Sequence, residues 1–141
     1  MKIKELITEK EWRSAYKVMH QLRTHLDETS YLDLVKEAVE IDRYHLVALY
    51  EGSKIVAVVG FKAMTTLYYG RFVWVCDLVT AEESRSKGYG EQLLTFVHQW
   101  AEDHHFSSVA LSSGLQRQDA HRFYEDKMAY SKVSYVFKKA L

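Results

Sequence analysis

The chain predicts a mixed α/β fold, in the element order β-α-α-β-β-β-α-β-α-β, with its 141 residues forming one domain over 1–141. Three observations lead there. Apolar residues recur at three and four positions in separate stretches; three β-rich runs follow one another in the middle of the chain; and the helical period returns between the last of these runs and another apolar one. A helix in that last position is the crossover that joins parallel strands.

Lys2-Ile3-Lys4-Glu5-Leu6-Ile7 reads as a short first strand. Thr8 with Glu11 three positions on has capping-box spacing. From Glu9 to about Leu26, Trp12, Ala15, Tyr16, Met19, Leu22, Arg23 and Leu26 mark one face of an amphipathic helix. A second, acidic helix runs from about Ser30 to Arg43, its charge run a solvated face. His45 to Tyr50, Lys54 to Met64 and Arg71 to Thr80 are rich in Val, Ile, Leu and aromatics, which predicts an antiparallel meander. After Gly90, Leu93, Leu94, Val97, Trp100 and Ala101 restore the helical period. A strand over Ser107 to Ser112, a short helix over about Asp119 to Lys127 and a final strand over Tyr130 to Phe137 complete the chain.

Composition narrows the function classes. With 48% hydrophobic and 27% charged residues the chain is globular in character. Its 19 basic and 19 acidic residues balance, so nothing pulls it globally toward nucleic acid, and any anion site must be a local cluster. One cysteine excludes an internal disulfide framework and fits a reducing compartment. No long apolar run indicates a signal peptide or membrane span, so the expectation is a cytoplasmic protein. The seven histidines show no metal-ligand spacing, and no metal is expected. Proline is absent altogether.

Chemistry concentrates between Leu78 and Gly90, where an apolar strand passes through a cationic, glycine-containing loop into a helix. Helix-start N–H groups are unsatisfied and carry the positive end of the helix dipole, which makes a phosphate cradle. Arg85, Ser86, Lys87, Gly88, Tyr89 and Gly90 form it; Gly88 and Gly90 permit close approach, and Arg85 and Lys87 add local positive charge. The Rossmann glycine pattern and the P-loop are both missing.

Arg85-x-x-Gly88-x-Gly90 after an apolar strand resembles the signature of the GCN5-related N-acetyltransferases, the GNAT superfamily. Ala120-His121-Arg122-Phe123-Tyr124, followed by Met128-Ala129-Tyr130, is similar to a second segment of that family, and the stretch from Gln116 to Leu141 looks like the branch containing aminoalkylphosphonate N-acetyltransferases. Glu82 and Ser86 depart from the proline and glycine common at those positions.

The resemblance implies a central mixed sheet of about six strands, helices on both faces, and parallel strands splayed where acetyl-CoA binds. It places the pyrophosphate on Arg85 to Gly90 and the pantetheine arm along the main chain of Leu78, Val79 and Thr80, with the Val79 N–H polarising the thioester carbonyl. Tyr124 matches the family's general-acid tyrosine. Asp77 is the candidate base, directly or through water, with two alternatives: a hydrogen bond at the sheet opening, or a contact to the acceptor's ammonium. Arg23, His25, Ser112, Gln116 and Arg117 are candidate acceptor contacts; Arg23 or Arg117 would pair with a carboxylate or phosphonate. The leading expectation is therefore an acetyl-CoA-dependent acyltransferase acting on the primary amine of a small molecule, without nucleic-acid or membrane partners. Protein lysine or N-terminal acetylation, and a non-catalytic acyl-CoA sensor, are the competing readings. Many members of the family form dimers, so a homodimer is a further expectation.

Overall fold

In the computed structural model, which describes residues 1–141, the Thr8 and Glu11 spacing forms a reciprocal cap. Glu11 N–H donates to Thr8 Oγ1 and Thr8 N–H donates to Glu11 Oε1, both at 3.1 Å. This cap links β1 (Lys2–Glu5) to α1 (Glu9–Met19). The helix ends at Met19 and does not reach Leu26. Gln21 N–H and Leu22 N–H bond three residues back, tightening the chain into turns, and the Tyr16 hydroxyl donates to the Leu26 carbonyl at 2.8 Å. Polar groups on the turn, Arg23 above all, find partners on a distant strand, which the helical period of the sequence does not reveal.

Asp27 caps α2 (Glu28–Asp42) through Ser30 N–H at 2.7 Å. Then come β2 (His45–Glu51), β3 (Lys54–Thr66) and β4 (Gly70–Thr80), the predicted meander, and β1 adds antiparallel to β2. After a 3-10 turn (Glu82–Ser84), α3 (Tyr89–Asp103) crosses over to β5 (Val109–Leu111). Ser107 N–H bonds Arg71 O, and Val73 N–H bonds Ser108 O. These bonds advance in the same sense along both chains, so β4 and β5 run parallel. The sheet order is β1-β2-β3-β4-β5.

Alternation along the strands decides the two packed faces. Leu46, Ala48 and Val58 lie in the core with Trp12, Ala15 and Val18 of α1 and Tyr31, Leu32 and Val35 of α2. The opposite parity carries His45 and Phe61, whose rings meet Trp100 of α3 at 5.0 Å. Helices therefore cover both faces of the sheet.

Residues group into two compact units, Met1–Ala110 and Leu111–Leu141. The second holds α4 (Gln118–Arg122), which widens into a π-type turn (Phe123–Lys127). Two expectations change. Tyr130 to Phe137 forms no strand, since residues 129–141 carry no regular structure, and the sheet has five strands where about six were expected. β-branched and aromatic residues make a segment fit for pairing, but a strand exists only where a ladder partner is present.

Candidate active site

The cationic loop comes first, because its chemistry is local. Gly88 caps α3 with φ at 80° and supplies no side-chain hydrogen bond, so the first N–H groups of the helix have no side-chain cap. Ser86 is also left-handed, at φ 64°. Arg85, Ser86 and Lys87 are exposed around these N–H groups, while Tyr89 is buried with its hydroxyl on Glu51 Oε2 at 2.5 Å. Nothing lies within 4 Å of a Cβ built on Gly88, so the positive φ is what requires glycine there. This loop suits a pyrophosphate: uncapped N–H donors lie beside two exposed cations, Lys87 and Arg85, the latter donating through Nε to the Thr80 carbonyl at 3.4 Å.

One of the two acidic neighbours is paired with a cation outside the loop. Glu83 pairs with Lys54 at 3.3 Å, and Glu82 N–H donates to Gln21 Oε1 at 2.8 Å. At Glu82, where proline is common in the resembled family, a chain without proline keeps its N–H and satisfies it with a side chain from the turn after α1.

Beside the loop, β4 carries a bulge. Gly60 faces Asp77 while Phe61 faces Val75, leaving Cys76 as the extra residue. Ala81 N–H bonds Val56 O at 2.8 Å, and antiparallel alternation then directs the main chain of Val79 and Asp77 toward β3 as well. The N–H groups of Leu78 and Thr80 face the other edge. The Val79 N–H, expected to polarise the thioester, belongs to the β3 ladder, and Leu78 offers the outward N–H nearest the bulge. The bulge shifts the parity by one residue, which the sequence does not show.

At the bulge a polar cluster assembles from three distant segments. Arg23 Nε donates to Asp77 Oδ1 at 3.0 Å and its Nη2 to the Cys76 carbonyl at 2.9 Å. The Tyr44 hydroxyl donates to Asp77 Oδ2 at 2.7 Å. Gly60 makes room for this: a Cβ there would lie 1.8 Å from the Tyr44 hydroxyl oxygen. Burial first, and then the Asp77 charge, hold the Tyr44 phenol well above its usual range and push the Cys76 thiol up to about 11. Cys76 is thus held in its thiol form. Both Asp77 oxygens already accept strong donors, an arrangement that favours holding a cation over removing a proton.

This cluster closes one end of a cavity of about 430 Å³. Met19, Leu26, Leu34, Val35 and Ala38 give it an apolar wall, and His25 joins Arg23 on the turn side. Asp42 and Lys62, paired at 3.6 Å, add a second ion pair. Tyr44, Asp42 and Lys62 were not legible as site residues in the sequence. The one available signal was Gly60 inside an apolar strand, where glycine marks a bulge or a close approach.

In the second unit, Tyr124 is buried, its ring 5.3 Å from Phe123 and 5.9 Å from Tyr130. Burial raises its phenol above the ordinary value, and the neighbouring Arg117 guanidinium opposes that shift. Arg117 is thereby placed beside Tyr124, while Ser112 and Gln116 are exposed. His121 bonds the Gly114 carbonyl at 2.8 Å, a structural contact within this unit. No group of three or more potential ligands is placed to hold a metal ion, and no helix is long and apolar enough to cross a membrane.

Comparison with known proteins bears on this geometry. Residues 7–130 match the acetyltransferase (GNAT) family. The chain is 44% identical, over 97% of its length and 96% of the relative's, to the uncharacterized N-acetyltransferase YhdJ of Bacillus subtilis strain 168. Among solved structures, a transcriptional regulator from Bacillus halodurans C-125 superposes with a TM-score of 0.86 at 22% identity, covering 99% of both chains. An aminoglycoside N-acetyltransferase, AAC(6')-Iy, in complex with CoA gives 0.86 at 11% identity, covering 99% of this chain and 93% of that one. At such identities these two structures speak for the fold alone.

Proposed function

Since the chain belongs to the acetyltransferase (GNAT) family and is an acyltransferase, we propose that it moves the acetyl group of acetyl-CoA to the primary amine of a small molecule. The observation that carries this reading is the juxtaposition of an uncapped, cationic helix start with a bulged strand whose outward N–H groups beyond the bulge are those of Leu78 and Thr80. Acetyl-CoA supplies the activated acetyl group. Arg85 to Gly90 hold its pyrophosphate, and the main chain of Leu78 and Thr80 takes the pantetheine arm. Leu78 N–H meets the charge that develops on the thioester oxygen, a donor fixed in place before reaction.

The acceptor enters the cavity walled by α1, α2 and the bulge. Its ammonium meets Asp77, held by Arg23 and Tyr44, and loses its proton to water before attack. An apolar body fits Leu34, Val35 and Ala38, and the Arg23 N–H groups not bound to Asp77 or Cys76 receive a carboxylate or phosphonate. Hydrophobic amino acids and their phosphonate analogues meet these demands. Tyr124, kept protonated by its burial, gives its proton to the departing thiolate.

Release of free CoA thiol from acetyl-CoA tests this, across apolar amino acids, aminoalkylphosphonates, α,ω-diamines, aminoglycosides and lysine peptides. Apolar amino acids or phosphonates should accelerate it most. Acetyl-CoA binding by calorimetry with no acceleration by any amine would favour a sensor. Tyr124→Phe should lower turnover about 100-fold with acetyl-CoA affinity nearly unchanged, as general-acid loss does; an unaltered turnover would remove Tyr124 from the role.

A further inference from the structure

Two ion pairs line the cavity beside the bulge, and they are made differently. Arg23 and Asp77 meet in a hydrogen bond of 3.0 Å. Lys62 and Asp42 meet at 3.6 Å, longer than a hydrogen bond, so the Lys62 ammonium keeps donors to give. The two partners also differ in exposure: the Asp42 side chain is 52% exposed and that of Lys62 27%. The carboxylate is half in water, whereas the ammonium side chain is largely withdrawn from it on the wall of the cavity. A partly desolvated cation without a close partner draws an anion more strongly than one on open surface.

Strand alternation puts Val58, Gly60 and Lys62 on the face of β3 that meets α1 and α2. Val58 packs in the core, and Gly60 makes room for the Tyr44 hydroxyl that bonds Asp77. Lys62 follows about 7 Å farther along the strand, at the rise of an antiparallel ladder. The helix repeats this line: Leu34, Ala38 and Asp42 stand four apart on one face of α2, so an apolar stripe ends in a charge that Lys62 meets. The Cys76 thiol feels the charges of Asp77, Lys62, Arg23 and Asp42, which places both pairs around one space.

We propose that Lys62 is a specificity-determining residue, which receives a second anionic group at the far end of the acceptor. The inference rests on the reading of this cavity as the acceptor site. With the acceptor's ammonium on Asp77 and its first carboxylate on Arg23, an unbranched side chain lies along the apolar wall at Ala38 and delivers its end to Lys62. The substrate class is then an α-amino acid whose aliphatic side chain ends in a carboxylate or phosphonate. The methylenes match the wall, and the terminal anion matches the ammonium. Asp42 holds that ammonium in place and yields it to the incoming anion.

Thiol release from acetyl-CoA with norleucine, α-aminoadipate and lysine tests the proposal. α-Aminoadipate differs from norleucine only in a carboxylate that replaces the terminal methyl. Its kcat/KM should be about tenfold higher, chiefly through KM, as a hydrogen bond to a charged group gives. Lys62→Met should bring that ratio close to one, and Asp42→Asn, which removes the competing carboxylate, should raise it. A pair that merely braced the fold would make the two variants act alike, and the melting temperature of each separates misfolding from altered choice. Equal kcat/KM for norleucine and α-aminoadipate, a ratio unmoved by Lys62→Met, or lysine outrunning α-aminoadipate would each overturn the role of Lys62. Turnover of norleucine without the preference would remove Lys62 and leave the acceptor cavity standing; no turnover of any amino acid would remove both.

Discussion

The loop from Arg85 to Gly90 and the cluster of Arg23, Tyr44 and Asp77 serve the two ends of one proposed reaction, yet they are built in opposite ways. The loop is six consecutive residues, and its groups are main-chain N–H donors exposed by a left-handed glycine at a helix start. The cluster draws side chains from positions 54 and 33 residues apart in sequence, joined to Asp77 by hydrogen bonds of 3.0 and 2.7 Å. A site made from backbone tolerates change in side chains and depends on φ and ψ. A site made from side chains depends on packing that holds remote segments in register. The proposed function puts coenzyme binding on the first kind and acceptor choice on the second.

The largest effect should come from breaking the support of the cluster. Gly60→Ala drives a methyl into the Tyr44 hydroxyl and removes a donor from Asp77, costing about 3 kcal/mol by overpacking and the lost charged hydrogen bond. Thermal unfolding should fall by about 10 °C. An unchanged melting temperature would show that Tyr44 moves aside freely.

A reciprocal pair of variants sharpens the contrast. Arg23→Met removes two hydrogen bonds, one to a charged partner, and should raise KM for the acceptor tenfold or more, about 1.5 kcal/mol, while leaving KM for acetyl-CoA in place. Gly88→Val forces a β-branched residue to φ 80° and should raise KM for acetyl-CoA about tenfold with little effect on the acceptor. If both variants moved both constants, the two halves of the site would not be separable in this way.

The smallest effect concerns neither half and serves as a control. Hydrogen bonds from Lys4, Ile7 and Thr8 lower the Glu11 carboxyl from 4.5 to about 2. A depressed carboxyl contributes stability that is full above its unfolded value and is lost as pH falls through its folded one. Melting temperature should therefore decline between about pH 5 and pH 2, and Glu11→Gln should flatten that decline without altering either KM.

Much of the architecture was legible in the sequence, because local rules governed it. Thr8 and Glu11 announced the start of α1, runs rich in Val, Ile, Leu and aromatics announced β2, β3 and β4, and Gly88 and Gly90 announced the start of α3. Each involves residues close in the chain. Long-range partners overrode local pattern elsewhere. Arg23 finds Cys76 and Asp77 in a turn that ends α1 early, and the bulge at Cys76 reverses which N–H groups face outward, so that Leu78 and not Val79 turns its N–H away from β3. The strand pattern at Tyr130 to Phe137 had no ladder partner within the chain.

The sequence by itself determined the order of elements, the cationic loop and the family of chemistry, since these follow from the spacing of neighbouring residues and from backbone freedom at single glycines. Only the tertiary structure decided what holds Asp77, which main-chain donors face away from β3, and which side chains line the cavity beside it. Those depend on strand register and on contacts between segments distant in the chain, and a pleated strand turns over completely when its register shifts by one residue.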